Sequence, residues 1–111
     1  MKNLNEELKA LCMENFKYYK TKYNKTFKNM LNYSLMDANN MIGGLTRYVS
    51  KGEDRWLLTT IFTDCNKDFR GIPEIVIMRY AEYFPPTIIE VVENRLADWG
   101  IPYKQYLEEV K

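Results

Sequence analysis

Trp56-Leu57-Leu58-Thr59-Thr60-Ile61-Phe62-Thr63-Asp64-Cys65-Asn66-Lys67-Asp68-Phe69 is the stretch whose reading separates two folds. Its β-branched and aromatic content suits a strand, and Lys51-Gly52-Glu53-Asp54 would close a hairpin against Thr46–Ser50. A half-buried strand alternates apolar and polar residues, which Trp56-Leu57-Leu58 does not. Leu57, Leu58, Ile61, Phe62, Cys65 and Phe69 instead recur at helical steps as one core stripe. Asp54 serves as N-cap, Lys67 and Arg70 sit in the last turn, and Gly71 lies beyond it. The spacing therefore predicts a helix, with an α+β fold carrying a hairpin at about 45–63 as the alternative.

The same period governs the rest of the chain. Leu4, Leu8, Leu11, Cys12, Phe16, Tyr19 and Tyr23 mark a first helix, with Asn3 or Asn5 as cap and Glu6 and Glu7 in its first turn. Weak helix formers over Thr21–Phe27 predict a break before a short turn carrying Met30 and Leu31. Ala38, Met41, Ile42, Leu45, Tyr48 and Val49 mark a second helix behind Ser34 or Asp37, with Gly52 as its stop. Gly43-Gly44 opposes that helix by ~1 kcal/mol per glycine unless a close approach compensates.

Downstream, Pro73 suits a first helical turn, and Ile75 and Met78 mark one face. Pro85-Pro86 must interrupt the chain, because neither residue donates and Phe84 is pushed from the helical region. Ile88, Val92, Leu96 and Trp99 mark a helix over Thr87–Trp99, and Tyr103–Val110 a short last one. The expected fold is an all-α, compact single domain over residues 1–111, a bundle of five or six short-to-medium helices.

With 46% apolar and 14% aromatic residues in 111, the chain has material for a packed core. It has no apolar run approaching the ~20 residues of a membrane span. The start, Met1-Lys2-Asn3-Leu4-Asn5, carries no apolar signal segment, so a cytoplasmic location is expected. Cys12 and Cys65 fall on apolar positions and are expected as reduced buried thiols, a bridge between them being the alternative. Phe, Tyr, Met, Ile, Asn and Lys make 49 residues against 18 for Gly, Ala, Arg and Pro, a bias towards AT-rich codons. It points to an AT-rich bacterium, or a phage or mobile element within one.

Function classes narrow by elimination. The chain has no histidine, and with it go the commonest general base and metal ligand. Two Cys without His do not make a usual structural zinc site, and no phosphate-binding glycine loop occurs. Asp64, Asn66 and Asp68 open like a calcium loop, but Phe69 replaces its turn glycine and Ile75 its closing Glu. The pairs Asp64/Asp68 and Glu90/Glu93 are expected as solvated helix faces. No catalytic residue, cofactor or metal is therefore expected.

The net charge of +1 hides a gradient, from seven Lys against three Glu over residues 1–36 to six acids against three bases over 81–111. Between Glu14 and Asp37 there is no acid, and Lys17, Tyr18, Lys20, Lys22, Lys25, Phe27 and Lys28 are the candidate binding residues. Lysines neutralise phosphates and exposed aromatics stack on unpaired bases, with Tyr18 and Phe27 the rings least committed to the core stripe.

Leu96–Leu107 has the outline of a helix-turn-helix, with its turn glycine one residue early and acids in the second helix. The reading favoured is a small non-catalytic interaction protein, a regulator or inhibitor that binds a larger protein or protein–nucleic acid complex. The alternative is a nucleic-acid binder using segment 17–28 or the C-terminal element. A homodimer through Tyr80, Tyr83 and Phe84 is a further expectation.

Overall fold

The computed structural model describes residues 3–28, 30 and 39–108, and among these the chain is helical with no strand. The elements are α1 (Leu4–Tyr23), α2 (Met41–Ser50), α3 (Arg55–Asp64), α4 (Pro73–Arg79), α5 (Pro86–Asp98) and α6 (Lys104–Glu108), with a single 3₁₀ turn at Ala81–Tyr83. Residues 45–63 thus contain parts of two helices, and the hairpin alternative is not what forms. No helix among the described residues is long and apolar enough to cross a membrane.

The ends of the helices follow local chemistry. Asn3 caps α1 by accepting from the Glu6 N–H at 2.8 Å. The helix runs through Thr21 to Tyr23 and stops at Asn24, whose left-handed backbone (φ 55°) few other residue types adopt. The break expected over Thr21–Phe27 thus falls within that stretch, at Asn24, just after Tyr23, which is held by a loop described below. Asn5, the other candidate cap, accepts instead from the Met41 N–H at 2.6 Å and ties α1 to the start of α2.

Asn40 caps α2 in place of Ser34 or Asp37, which lie outside the described residues together with Leu31 and Ala38. A Cβ on Gly43 would meet the Asn40 Nδ2 at 2.5 Å, so the glycine makes room for the cap. Asp54 caps α3 as expected, its Oδ1 accepting from the Leu57 N–H at 3.1 Å. That helix ends at Asp64, earlier than the stripe through Phe69 implies, because Asn66 and Lys67 both turn left-handed (φ 51° and 57°).

At the centre lies α4, which packs against α1, α2, α5 and α6. Pro73 through Ile77 are all buried, as expected for a short helix surrounded by others. One of those residues is Glu74. Its carboxylate accepts from Arg95 Nη1 at 2.9 Å, while Arg95 Nη2 donates to the Val49 carbonyl at 3.1 Å. A single guanidinium thus joins α4, α5 and the last turn of α2. Burial pushes the Glu74 carboxyl above its usual range, and Arg95 works against that shift.

Leu8, Cys12, Tyr19, Leu45, Ile61, Val92 and Leu96 contribute to the surrounding core. Both cysteines are buried free thiols, and burial pushes Cys12 up to about 12.

Arg95→Ala would leave a buried carboxylate without its cation, at a cost of ~3–5 kcal/mol. Glu74 can relieve part of that cost by taking a proton, so the deficit in urea unfolding is expected to be smaller at about pH 5 than at about pH 8.

Candidate functional site

The lysine–tyrosine segment forms the last turns of α1 and the residues beyond. Its side chains are largely occupied by the loop between α3 and α4. Tyr18 and Tyr23 both donate to Asp68 Oδ2, the latter at 3.0 Å, and Arg70 Nε donates to Oδ1 at 3.1 Å. Tyr19 donates to the Asp68 carbonyl at 2.6 Å and accepts from the Gly71 N–H at 3.0 Å. From the far side, the Tyr106 hydroxyl accepts from the Phe69 N–H at 3.1 Å.

Burial alone would raise the Asp68 carboxyl. The donors Tyr18, Arg70 and Tyr23, with the Arg70 charge, outweigh it and hold the group below its usual range. Burial, reinforced by the hydrogen bonds to Asp68, pushes Tyr18 and Tyr23 up to about 12.

The expected binding residues separate accordingly. Phe27 is a core side chain only 1% exposed, set edge-on to Tyr19 and Trp56, so it offers no ring for stacking. Tyr18 is half-buried, bonded to Asp68 and covered by the Arg70 guanidinium 4.4 Å from its ring centre. Lys22 Nζ donates to the Tyr18 hydroxyl at 3.0 Å and lies over the rings of Tyr18 and Tyr23. Lys25 pairs with Asp64 at 3.0 Å. Lys17, Lys20 and Lys28 are exposed.

The calcium-like triplet is not gathered around a cation. Asp64 faces Lys25, Asp68 faces tyrosines and arginine, and among the described residues no group of acidic, Cys or His side chains is arranged to hold a metal.

A different surface emerges on α3. The helix buries Leu57 and Ile61, which turns Trp56, Thr59, Phe62 and Thr63 outward. Trp56 is 59% exposed and Phe62 55%, although Phe62 belongs to the apolar stripe that predicted a core position. The stripe was too wide. Leu57, Ile61 and Cys65 fill the core-facing arc, and Phe62 lies at its margin.

Beside Phe62 opens a cleft of about 360 Å³ walled by Leu58, Phe69 and Trp99, with Glu53 and Arg55 at its edge. Trp99 Nε1 donates to Glu53 Oε2 at 2.6 Å, which fixes the indole as one wall. Arg55 Nη2 lies 4.0 Å from the other Glu53 oxygen and its side chain is 87% exposed. Lys67 Nζ sits 4.8 Å from the centre of the Phe62 ring.

Neither Trp56 nor Phe62 stood among the binding residues read from the sequence. The available signal was an excess of apolar residues, Trp56-Leu57-Leu58 and Ile61-Phe62, over what one helix face buries.

The C-terminal element does not provide a long recognition helix among the described residues. α6 there spans Lys104–Glu108, and Val110 lies outside them. The expected Tyr80, Tyr83 and Phe84 cluster divides into a buried Phe84, a half-buried Tyr80 and a Tyr83 that is 50% exposed. No protein family, curated protein or solved structure matches this chain.

Asp68→Asn removes the charge on which these donors converge, and it is expected to destabilise the fold at neutral pH. The folded carboxyl titrates below its unfolded value of about 3.9. Its contribution is therefore present above that pH and is lost as pH falls through the depressed value. Denaturation of both proteins at about pH 7 and about pH 2.5 should show the gap between them narrowing in acid.

Proposed function

We propose that this protein is a non-catalytic interaction protein that docks a larger protein, or a protein–nucleic acid complex, through the outer face of α3 and the adjoining cleft. The observation that carries the reading is a pair of large aromatics on α3 left more than half exposed: Phe62, which lines a cleft with apolar walls, and Trp56. Large exposed aromatics are costly in water and mark contact sites, where Trp is among the residues that dominate binding energy.

The charges around the cleft specify the partner further. Glu53 is engaged by Trp99, while Arg55 and Lys67 present cations at the margins. A segment with an apolar anchor flanked by a carboxylate complements both features. Occupying such a surface on a target is how a small regulator or inhibitor acts.

The nucleic-acid reading retains Lys17, Lys20 and Lys28 as exposed cations on and just beyond α1. It loses Phe27 to the core, and Tyr18 to Asp68 and Arg70. Backbone neutralisation without stacking rings is a poorer basis for single-strand recognition.

The test compares wild type, Phe62→Lys and a Lys17→Glu/Lys20→Glu/Lys28→Glu variant. Partners captured from an AT-rich bacterial lysate, with and without nuclease, are identified, purified and titrated against each protein. Phe62→Lys should leave stability within ~0.5 kcal/mol because the ring is mostly in water. It should also weaken binding by at least ~2 kcal/mol, roughly thirtyfold. Capture of nucleic acid without any protein, or capture lost in the lysine variant but kept in Phe62→Lys, would overturn the reading.

A further inference from the structure

The outer surface of α5 carries acids and no base. Glu90, Glu93 and Asp98 are exposed along it, and the one cation of the helix, Arg95, turns inward to Glu74 and the Val49 carbonyl. Folding alone gives little reason for this pattern. Glu90 and Glu93 are neighbours at i, i+3, where like charges repel, and Asp98 ends the helix at the terminus that favours cations.

Two of these acids line a groove of about 500 Å³ between α5 and the 3₁₀ turn at Ala81–Tyr83. The chain kinks between the two elements at Phe84, which is extended (φ −110°, ψ 153°) as the residue before Pro85 must be. Phe84, Pro86 and Ile89 are the main apolar lining, and Glu82, Glu90 and Glu93 are the charged lining, with no Lys or Arg among the groove residues. No ion pair or hydrogen bond among the described residues engages these three carboxylates. Tyr83, 50% exposed, and Val91, 42% exposed, adjoin the lining in sequence and extend the apolar surface. None of the groove residues lines the cleft beside Phe62, so this is a second surface and does not depend on the reading of α3.

Apolar lining bounded by unpaired carboxylates repels a nucleic-acid backbone and selects a partner that brings apolar side chains together with cations. A helix whose apolar stripe is flanked by lysine or arginine has that chemistry and the shape for a groove. A second copy of this chain is a poorer match. Its α1 exposes Lys17 and Lys20, but no large apolar side chain is exposed on that helix.

We propose that the α5 groove docks a cationic amphipathic segment of a partner protein. Apolar side chains of the segment pack on Phe84, Pro86 and Ile89, and its lysines or arginines meet Glu82, Glu90 and Glu93.

The probe is a synthetic helical peptide of leucine and lysine in amphipathic order, titrated by calorimetry against the whole protein. A leucine–glutamate peptide and a serine–lysine peptide are the controls. The leucine–lysine peptide should bind saturably, at least roughly tenfold more tightly than either control. Glu90→Gln/Glu93→Gln should weaken it by at least roughly tenfold, yet unfold at the same or a higher temperature than wild type because a like-charge pair is removed. Glu6→Gln/Asp98→Asn takes the same charge from outside the groove lining, and Phe62→Ser alters the α3 surface. Both should bind the peptide as wild type does. The proposal fails if the leucine–lysine peptide does not saturate, if the serine–lysine peptide binds equally well, if the two acid-to-amide variants lose affinity alike, or if Phe62→Ser loses binding. Sedimentation showing a wild-type dimer that Glu90→Gln/Glu93→Gln dissolves would give the groove to a second copy and overturn the proposal as well.

Discussion

The Tyr19 hydroxyl, donating to the Asp68 carbonyl and accepting from the Gly71 N–H, is the contact on which the rest of the arrangement depends. The chain between α3 and α4 has no regular hydrogen-bonding pattern of its own, yet Phe69, Gly71 and Ile72 are buried within it. Buried backbone groups need partners, and a loop cannot supply them internally as a helix does. Here turns supply some of them, with the Ile72 N–H donating to the Phe69 carbonyl at 3.3 Å, and phenols supply others. Tyr19 serves two backbone groups from α1, and Tyr106 serves the Phe69 N–H from α6. Tyr is suited to this work because its ring fills core volume while its hydroxyl donates and accepts at one point. Once the loop is fixed, Phe69 becomes a wall of one cleft and Arg70 of another, and Pro73 starts α4 at the centre of the bundle.

This dependence explains which parts of the molecule were legible in the sequence. Helices whose stripes and caps lie within one segment, such as α1 with Asn3, α3 with Asp54 and α5 behind Pro85-Pro86, follow from local rules. Much of what was not legible depends on contacts between residues distant in sequence, from 29 positions apart for Phe27 and Trp56 to 52 for Tyr19 and Gly71. Asp68 gave the outline of a calcium ligand, and only the return of α1 reveals that its charge is satisfied by Tyr18, Tyr23 and Arg70. The lysine-rich segment read as a binding surface for the same reason. Periodicity does not show that Lys22 lies over two tyrosine rings, that Lys25 meets Asp64, or that Phe27 turns inward against Trp56.

Charge and burial therefore play different roles from those suggested by composition. The excess of lysine near the start of the chain is partly structural, holding the α1 end against α3 and the loop that follows it. The less conspicuous charges carry greater consequence. Glu74 and Arg95 sit in an interior where an unpaired partner would be costly, and Arg95 also serves the Val49 carbonyl. A buried ion pair is a weak source of net stability, but its geometry is exacting. Joining three helices through one guanidinium specifies their mutual placement more tightly than apolar contact alone.

Several departures from local rules fall on or beside the α3–α4 connection. Lys67 adopts a left-handed backbone normally left to glycine or asparagine, Phe62 faces water, and Asn15 is buried against Gly71 with an unpaired amide. Each opposes stability on its own, through backbone strain, exposed apolar surface or lost hydration. Folding alone would favour glycine at 67, a polar residue at 62 and an aliphatic residue at 15. The strongly packed elements elsewhere, above all α4 with its five consecutive buried residues, provide the surplus that lets these exceptions persist. Comparable exceptions lie elsewhere, in a Tyr83 that is 50% exposed and a buried Thr46 Oγ1 without a hydrogen-bond partner, so the connection shares such conflicts with the rest of the bundle.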